Sequence, residues 1–304
     1  MVCDDNSTDG TGDILNALCD EWKGRVVLFH PDFKLDVQQI QMEATNAMID
    51  EAFTSLAADV VLPLDTDEYP YVPDCSRGTV RDVLRGLDQG RCFSAQWIQF
   101  SPPENGAIDD TRLAPLSFRK KRKTPITQSS MVILTGGAYR ADPVHVTPGN
   151  HELFRPSGNG APPVESLTPD LYYAHFMYRG LSHYKSKVAN GWLAWYTKSD
   201  WKPGYAEHYR LACQKLLEGK LTQGTVEWAS FTISGLTGEG MDDVRDCAEI
   251  VDPKDYFPNI PLLYTKKFSK KRDDFSLLLE TSLAIAEQYK ELQKRFDPCE
   301  NMRE

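Results

Sequence analysis

The chain has 304 residues, with 34 lysine or arginine residues against 44 aspartate or glutamate residues and a formal net charge of −10. An acidic chain is a poor candidate for nonspecific nucleic-acid binding, because that binding needs a basic surface. The sequence contains no apolar run of the roughly 18 residues that a membrane span requires. Its first residues also lack the basic and apolar regions of a signal peptide. Composition therefore predicts a globular protein with no transmembrane segment and no nucleic-acid partner.

The seven cysteines favour a reducing compartment over a disulfide framework. Structural zinc sites typically contain Cys-x-x-Cys pairs, and none of these cysteines belongs to such a pair. Their odd number also argues against complete pairing in disulfide bonds. We therefore expect mostly free thiols and a cytoplasmic protein.

The first part of the chain alternates between short apolar runs and a long amphipathic segment. Residues 26–30 have the length and composition of a strand. Between residues 36 and 57 apolar positions recur every three or four residues, which predicts a helix. The run 59–64 is nearly all apolar and predicts a strand buried on both faces. This order of elements favours parallel strands covered by helices.

Further elements are predicted toward the C-terminus. They are strands at 92–100 and 130–135, a loop at 155–169, and helices near 180–196, 205–218 and 270–296. The predicted fold class is therefore α/β, a mostly parallel sheet flanked by helices. We assign residues 1–181 to this domain and residues 182–304 to a mainly helical C-terminal extension packed on it.

A polar turn is predicted at residues 4–11, leading into a helix from about Asp13. The turn would place the carboxylates of Asp4 and Asp5, with free backbone N–H groups, at the C-terminal edge of a parallel sheet. Ligands bind at that edge in open α/β sheets. A plain polar turn that caps the helix accounts for the same residues.

An acidic segment follows the apolar run directly, at Asp65, Asp67 and Glu68. Three carboxylates this close together repel one another unless a cation lies among them. Mg²⁺ or Mn²⁺ suits such a site, because these ions take a few carboxylates together with phosphate oxygens and water. The alternative is an acidic surface turn. A phosphatase with an aspartate nucleophile is disfavoured, since that class has a small β-branched residue where this chain has Tyr69.

Taken together, these segments resemble a family of glycosyltransferases. The run 5–11 is similar to the turn after the second strand of family 2-type glycosyltransferases with the GT-A fold, and the run 64–68 looks like their metal-binding Asp-x-Asp. Residues 149–151 and 175–191 resemble the capsule-type and family 92-like subgroup. The resemblance covers about residues 2–195. That family begins one strand and one helix earlier, so we expect this chain to lack the first βα unit.

The resemblance implies transfer of a sugar from a nucleotide-diphosphate sugar to an acceptor hydroxyl, as in making a surface or capsular glycan, with Mn²⁺ or Mg²⁺ as cofactor. By similarity, Asp4 or Asp5 contacts the nucleoside, and Asp65 faces the ribose or the metal ion. Asp67 holds the metal ion on the diphosphate, where positive charge stabilises the leaving group.

Histidine, acidic and arginine residues supply the remaining site candidates. His151 follows a turn from which it could reach the metal ion, or remove the proton of the acceptor hydroxyl. Glu152 is also a candidate for that base, with Asp109 or Asp110 as the next. Arg179 suits diphosphate recognition because its guanidinium presents a fork of donors. His151 and Arg179 also have structural interpretations, as a hydrogen-bonded loop histidine and a surface ion pair.

Two further patterns leave their role open. The basic run 119–123 would attract an acidic or phosphorylated acceptor, or form a solvated loop. The aromatic residues between 192 and 209 would stack on sugar rings or pack between helices. If the segment 175–179 is helical, His175 and Arg179 share a face. The alternative function is a degenerate, non-catalytic transferase-like protein that binds a glycan or a partner.

Overall fold

A computed structural model describes residues 1–4, 11–29, 37–101, 119–122, 126–178, 181–196, 207–222, 225 and 248–251 of the chain. Within these residues the protein combines helices with a mixed sheet, so the α/β class expected from the sequence is confirmed at that level. The predicted C-terminal helix at 270–296 lies outside the described residues.

The helices and strands have the following bounds. Helices α1 to α6 span Thr11–Glu21, Val37–Thr54, Val80–Arg85, Gly136–Ala141, Leu181–Tyr196 and Glu207–Leu217. Strands β1 to β12 span Val2–Cys3, Leu28–Phe29, Val60–Val61, Glu68–Tyr71, Cys92–Ser101, Arg119–Arg122, Ile126–Thr135, His145–Val146, Leu153–Phe154, Val164–Ser166, Tyr172–His175 and Ala248–Val251.

The chain divides into two compact units. The first contains α1 to α4, β1 to β5 and β7 to β11, and the second contains α5 and α6. The domain boundary between residues 181 and 182 stays a prediction.

Strand β5 shows that the main sheet is mixed. It pairs in parallel with β10 and β11, along different segments, and antiparallel with β7. β4 pairs antiparallel with β11, and β3 pairs antiparallel with β7. The mostly parallel sheet expected from the sequence is therefore not what these strands form. Apolar content predicts that a strand is buried, but its direction depends on partners far away in the chain.

Strand β3 is shorter and more exposed than expected. It covers only Val60–Val61 of the predicted run 59–64, and Leu64 is 41% exposed. The interpretation of this run as a strand buried on both faces is wrong. Pro63 has no N–H to donate to a neighbouring strand, which is a physical reason for the pairing to stop before it.

Three other local expectations change. The first four residues of the basic run 119–123 form β6 rather than a solvated loop. The predicted loop 155–169 contains the short strand β10. His175 ends strand β11, and residues 176–178 are not helical. The helix considered for this segment is therefore wrong over these residues.

Helix α2 packs its apolar face on β7 and on the antiparallel pair β8 and β9. Ile49 and Phe53, about one turn apart, are buried in one cluster with Leu134 and Val146. Asn46 joins the helix to β8, because its amide donates to the Val146 carbonyl at 3.1 Å and accepts the Val146 N–H at 2.8 Å. The amphipathic helix predicted from the sequence is confirmed over Val37–Thr54, and its apolar residues Ala44, Ile49 and Phe53 are buried.

Helices α5 and α6 pack together in the second unit. Tyr184, Val188 and Trp192 recur every four residues along α5 and are buried in one cluster with residues of α6. The Tyr209 ring covers Gly191, where an added Cβ would lie 2.7 Å from it. Trp192, Tyr196 and Tyr209 therefore pack between helices, which was one of the two interpretations, whereas Trp201 and Tyr205 lie outside the described residues.

A close backbone approach at Gly137, in the first turn of α4, gives a stability prediction. A Cβ there would lie 2.3 Å from the Gln89 carbonyl oxygen, which the Thr135 hydroxyl holds at 2.7 Å. We expect Gly137→Ala to lower the free energy of unfolding by about 3 kcal/mol in urea denaturation, because the backbone must shift. Gly86→Ala is the control, since its Cβ would meet nothing closer than 3.5 Å. Equal stability of the two variants would contradict the close approach.

Candidate functional site

The acidic segment forms a tight turn between β3 and β4. The Glu68 N–H donates to the Asp65 carbonyl at 3.1 Å, and the Asp65 N–H donates to Glu68 Oε2 at 3.1 Å. Gln41 of α2 donates to Asp65 Oδ1 at 3.3 Å. The turn is therefore held by its own reciprocal hydrogen bonds and by a contact with helix α2.

Strand register places three polar side chains side by side at the end of β11. His175 lies opposite Glu68 of β4 and opposite Gln99 of β5. Residues that face one another across neighbouring strands point to the same side of a sheet. Two residues earlier on that side, Tyr173 lies opposite Trp97. A row of polar and aromatic groups thus crosses three strands.

The turn and the end of β11 meet at Asp67 and His175. The Phe176 N–H donates to the Asp67 carbonyl at 2.8 Å. The Asp67 carboxylate lies beside the imidazole, with 3.9 Å between Oδ2 and the His175 Nε2, and the two side chains are only 16% and 6% exposed. Gln99 Nε2 lies 3.0 Å from the other ring nitrogen, Nδ1. We call Asp65, Asp67, Glu68, Gln99 and His175 the Asp67–His175 site.

Glu68 is buried within this site, with 5% of its surface exposed. Burial, followed by the negative charges of Asp65 and Asp67, raises its pKa from 4.5 to about 8. The hydrogen bond from the Asp65 backbone opposes this shift without cancelling it. Trp97 has the smallest effect of these causes and lowers the pKa. Its indole N–H has no partner within full hydrogen-bond geometry among the described residues. At neutral pH the shift favours the protonated form of Glu68, so the negative charge of the site comes from Asp65 and Asp67.

Trp97 separates the two histidines of this region. Its ring lies against His175 with 4.4 Å between centroids and an interplanar angle of 33°. His151 meets the same indole edge-on, at 4.8 Å and 77°. The chain turns toward His151 through Gly149 and Asn150, which have φ values of 82° and 60°. At Gly149 a Cβ would also lie 3.1 Å from the His151 ring, so this turn favours glycine.

The other predicted site residues are spread out or undescribed. Asp4 follows β1, which pairs with β2 in a two-stranded sheet. A Cβ on Gly12 of α1 would lie 3.8 Å from the Asp4 carboxylate. The exposed Glu152 precedes β9, and its carbonyl accepts the Thr147 N–H at 3.0 Å. Asp5, Asp109, Asp110 and Arg179 lie outside the described residues.

The metal site stays a prediction. Within the part of the chain that the structure describes, no three histidine, cysteine, aspartate or glutamate side chains come together as a metal site. The expected set Asp65, Asp67 and His151 is thus not seen as a complete cage. Mg²⁺ and Mn²⁺ are often held by only one or two protein groups, with phosphate oxygens and water as the other ligands. Asp67 and His175 suit that mode in donor chemistry.

Sequence reasoning did not assign His175, Gln99 or Trp97 to the site. His175 belongs to a segment of the family resemblance and has helical spacing to Arg179, but neither pattern assigns it a role. Trp97 and Gln99 belong to the predicted strand at 92–100. One signal was present, because Gln99 stands in an otherwise largely apolar strand between Ile98 and Phe100. A buried polar side chain in such a strand needs a partner, and here the partner is His175.

Comparison with protein-family models and with curated protein sequences finds no match to this chain. Among the described residues, no helix has both the length and the apolar character needed to cross a membrane.

Proposed function

We propose that the protein is a metal-dependent glycosyltransferase that moves a sugar from a nucleotide-diphosphate donor to an acceptor hydroxyl. The proposal includes a GT-A-like organisation of the first unit and an acceptor that belongs to a surface or capsular glycan. The observation that carries it is the meeting of Asp67, from an acidic turn after a strand, with the buried His175 at the end of β11.

The chemistry of the site supports a hard divalent cation. Asp67 supplies a carboxylate oxygen and His175 an imidazole nitrogen, a combination that Mn²⁺ accepts and that leaves positions for diphosphate oxygens. Burial is the main cause of the raised pKa of Glu68, and the negative charges of Asp65 and Asp67 add to it. The cation, when bound, would offset the charge that develops on the nucleoside diphosphate as it leaves.

The chain's own residues have distinct proposed roles. Asp67 and His175 hold the cation, and Asp65, at the start of the same turn, faces the ribose or the cation. Asp4 or Asp5 contacts the nucleoside, and Arg179 contacts the diphosphate. His151 remains a candidate base for the acceptor hydroxyl, because it contacts Trp97, which also lies against His175. Glu152 and Asp109 remain the alternatives for that base.

The test is a screen of nucleotide-diphosphate sugars by thermal shift, with and without Mn²⁺, followed by an assay of nucleoside diphosphate release. A donor that binds only the folded chain raises its Tm, by an amount that grows with concentration. We expect one donor to raise Tm in the presence of Mn²⁺ and to release its nucleoside diphosphate. A chain that binds glycans but neither donor nor Mn²⁺ would instead be the non-catalytic binding protein, and the transferase proposal would be rejected.

A further inference from the structure

Gln99 is the buried group that contacts His175 on the side away from Asp67. Its exposed fraction is 0%, and its Nε2 lies 3.0 Å from His175 Nδ1. The imidazole is thus held between an amide on Nδ1 and a carboxylate facing Nε2 at 3.9 Å. Strand register fixes this arrangement, because Gln99 and His175 are directly opposite in β5 and β11.

The amide of Gln99 can serve the imidazole in two ways. Its N–H can donate to an unprotonated Nδ1, which puts the ring proton on Nε2, facing the Asp67 carboxylate. Turned over, its carbonyl oxygen can accept from Nδ1–H, which leaves the Nε2 lone pair facing Asp67. In the first arrangement Gln99 Oε1 is a buried oxygen without a hydrogen-bond partner among the described residues.

We infer that Gln99 is a positioning residue that orients His175 for cation binding. This inference rests on the cation site of the proposed function. A histidine that binds a cation through Nε2 must carry its proton on Nδ1, and such histidines almost always donate that proton to a second group. Gln99 is the residue seen at Nδ1, and its carbonyl oxygen would gain the partner that it lacks in the first arrangement.

Removing this amide has a predictable cost. In a Gln99→Met variant the side chain keeps its length but cannot accept the Nδ1 proton. The Nδ1–H is then a buried donor without a partner, and the loss of such a supporting residue weakens metal binding by about 10–100-fold. In Gln99→Glu the carboxylate can still accept that proton, so affinity is expected to return to within about threefold of the wild-type value.

The experiment measures Mn²⁺ binding by electron paramagnetic resonance in the wild-type chain, Gln99→Met, Gln99→Glu and Gln96→Met. Gln96 is the matched control, because it lies on the same strand and is partly exposed, three residues away and therefore on the other side of the sheet. We expect weaker binding in Gln99→Met alone. Equal affinity of Gln99→Met and wild type would overturn the role of Gln99, whereas a wild-type chain that does not bind Mn²⁺ would reject the cation site of the proposed function.

A second measurement does not need the cation. In the metal-free protein, ¹⁵N NMR of the imidazole, assigned with His175→Gln, reports whether Nδ1 is hydrogen-bonded. We expect the Nδ1 resonance of His175 to shift in Gln99→Met and to stay in place in Gln96→Met. An unchanged resonance in a folded Gln99→Met would overturn the inference whatever the Mn²⁺ result.

Discussion

Replacing Asp67 with asparagine is expected to abolish the Mn²⁺-dependent binding of a nucleoside diphosphate. The substitution removes the carboxylate that lies 3.9 Å from His175 Nε2 but keeps the shape of the side chain. Affinity for UDP or GDP in the presence of Mn²⁺, measured by calorimetry, should fall by about 100-fold or more. Loss of a residue that only supports a metal ligand already lowers metal affinity by about 10–100-fold.

The fold should survive this substitution. One structural bond at this position uses the Asp67 backbone carbonyl, which accepts the Phe176 N–H and is retained in asparagine. Loss of the Asp67 charge also removes one of the causes that raise the pKa of Glu68. Asp88→Asn, at an exposed carboxylate beside Arg91, is the matched control and should leave binding unchanged. Unchanged affinity in Asp67→Asn would remove Asp67 from the metal site.

The second large effect concerns the stability of the metal-free protein, which should decrease with rising pH because of Glu68. Its pKa is about 8 in the folded chain against an ordinary value of 4.5. The folded state therefore binds this proton more tightly than the unfolded state does. The stabilisation is complete below pH 4.5 and is lost progressively as the pH rises toward 8. By pH 7 the loss amounts to about 3 kcal/mol, at 1.36 kcal/mol for each pH unit.

Glu68→Gln tests this directly, because glutamine can still accept the Asp65 N–H but does not ionise. Urea denaturation at pH 5, 7 and 9 is expected to show the variant gaining stability relative to wild type as the pH rises. Glu51→Gln, at an exposed position of α2, is the control and should follow the wild-type curve. A wild-type chain whose stability relative to Glu68→Gln is the same at all three pH values would contradict the burial of an ionisable Glu68.

Local patterns predicted the individual elements well where burial follows a simple period. The three- and four-residue spacing of apolar positions predicted α2, and Ile49 and Phe53 are indeed on its buried face. The helices α5 and α6 and the strands β5 and β7 were also located from such runs. The same reasoning failed at 59–64, since a run of apolar residues does not report that Pro63 stops strand pairing.

The chemistry of the site was only partly visible in the same way. Asp65, Asp67 and Glu68 stood out as an acidic segment after an apolar run, and the structure places them in one turn. His151 was the expected histidine partner of Asp67, but it packs edge-on against Trp97, and His175 is the histidine seen beside Asp67. The two residues that meet, Asp67 and His175, are far apart in sequence.

The chain's net negative charge and its length of 304 residues indicate less about fold and site than the order of its residues does. By itself, the sequence determined where α2, α5, α6, β5 and β7 lie and where the negative charge accumulates, because side-chain periodicity and local charge are properties of neighbours along the chain. Strands β4 and β11 and the short helices α3 and α4 were not predicted from it. Only the tertiary structure decided the strand directions, the burial of Glu68 and the meeting of Asp67 with His175 and Gln99. Those depend on the register between β4, β11 and β5, which is fixed by packing between segments far apart in the chain.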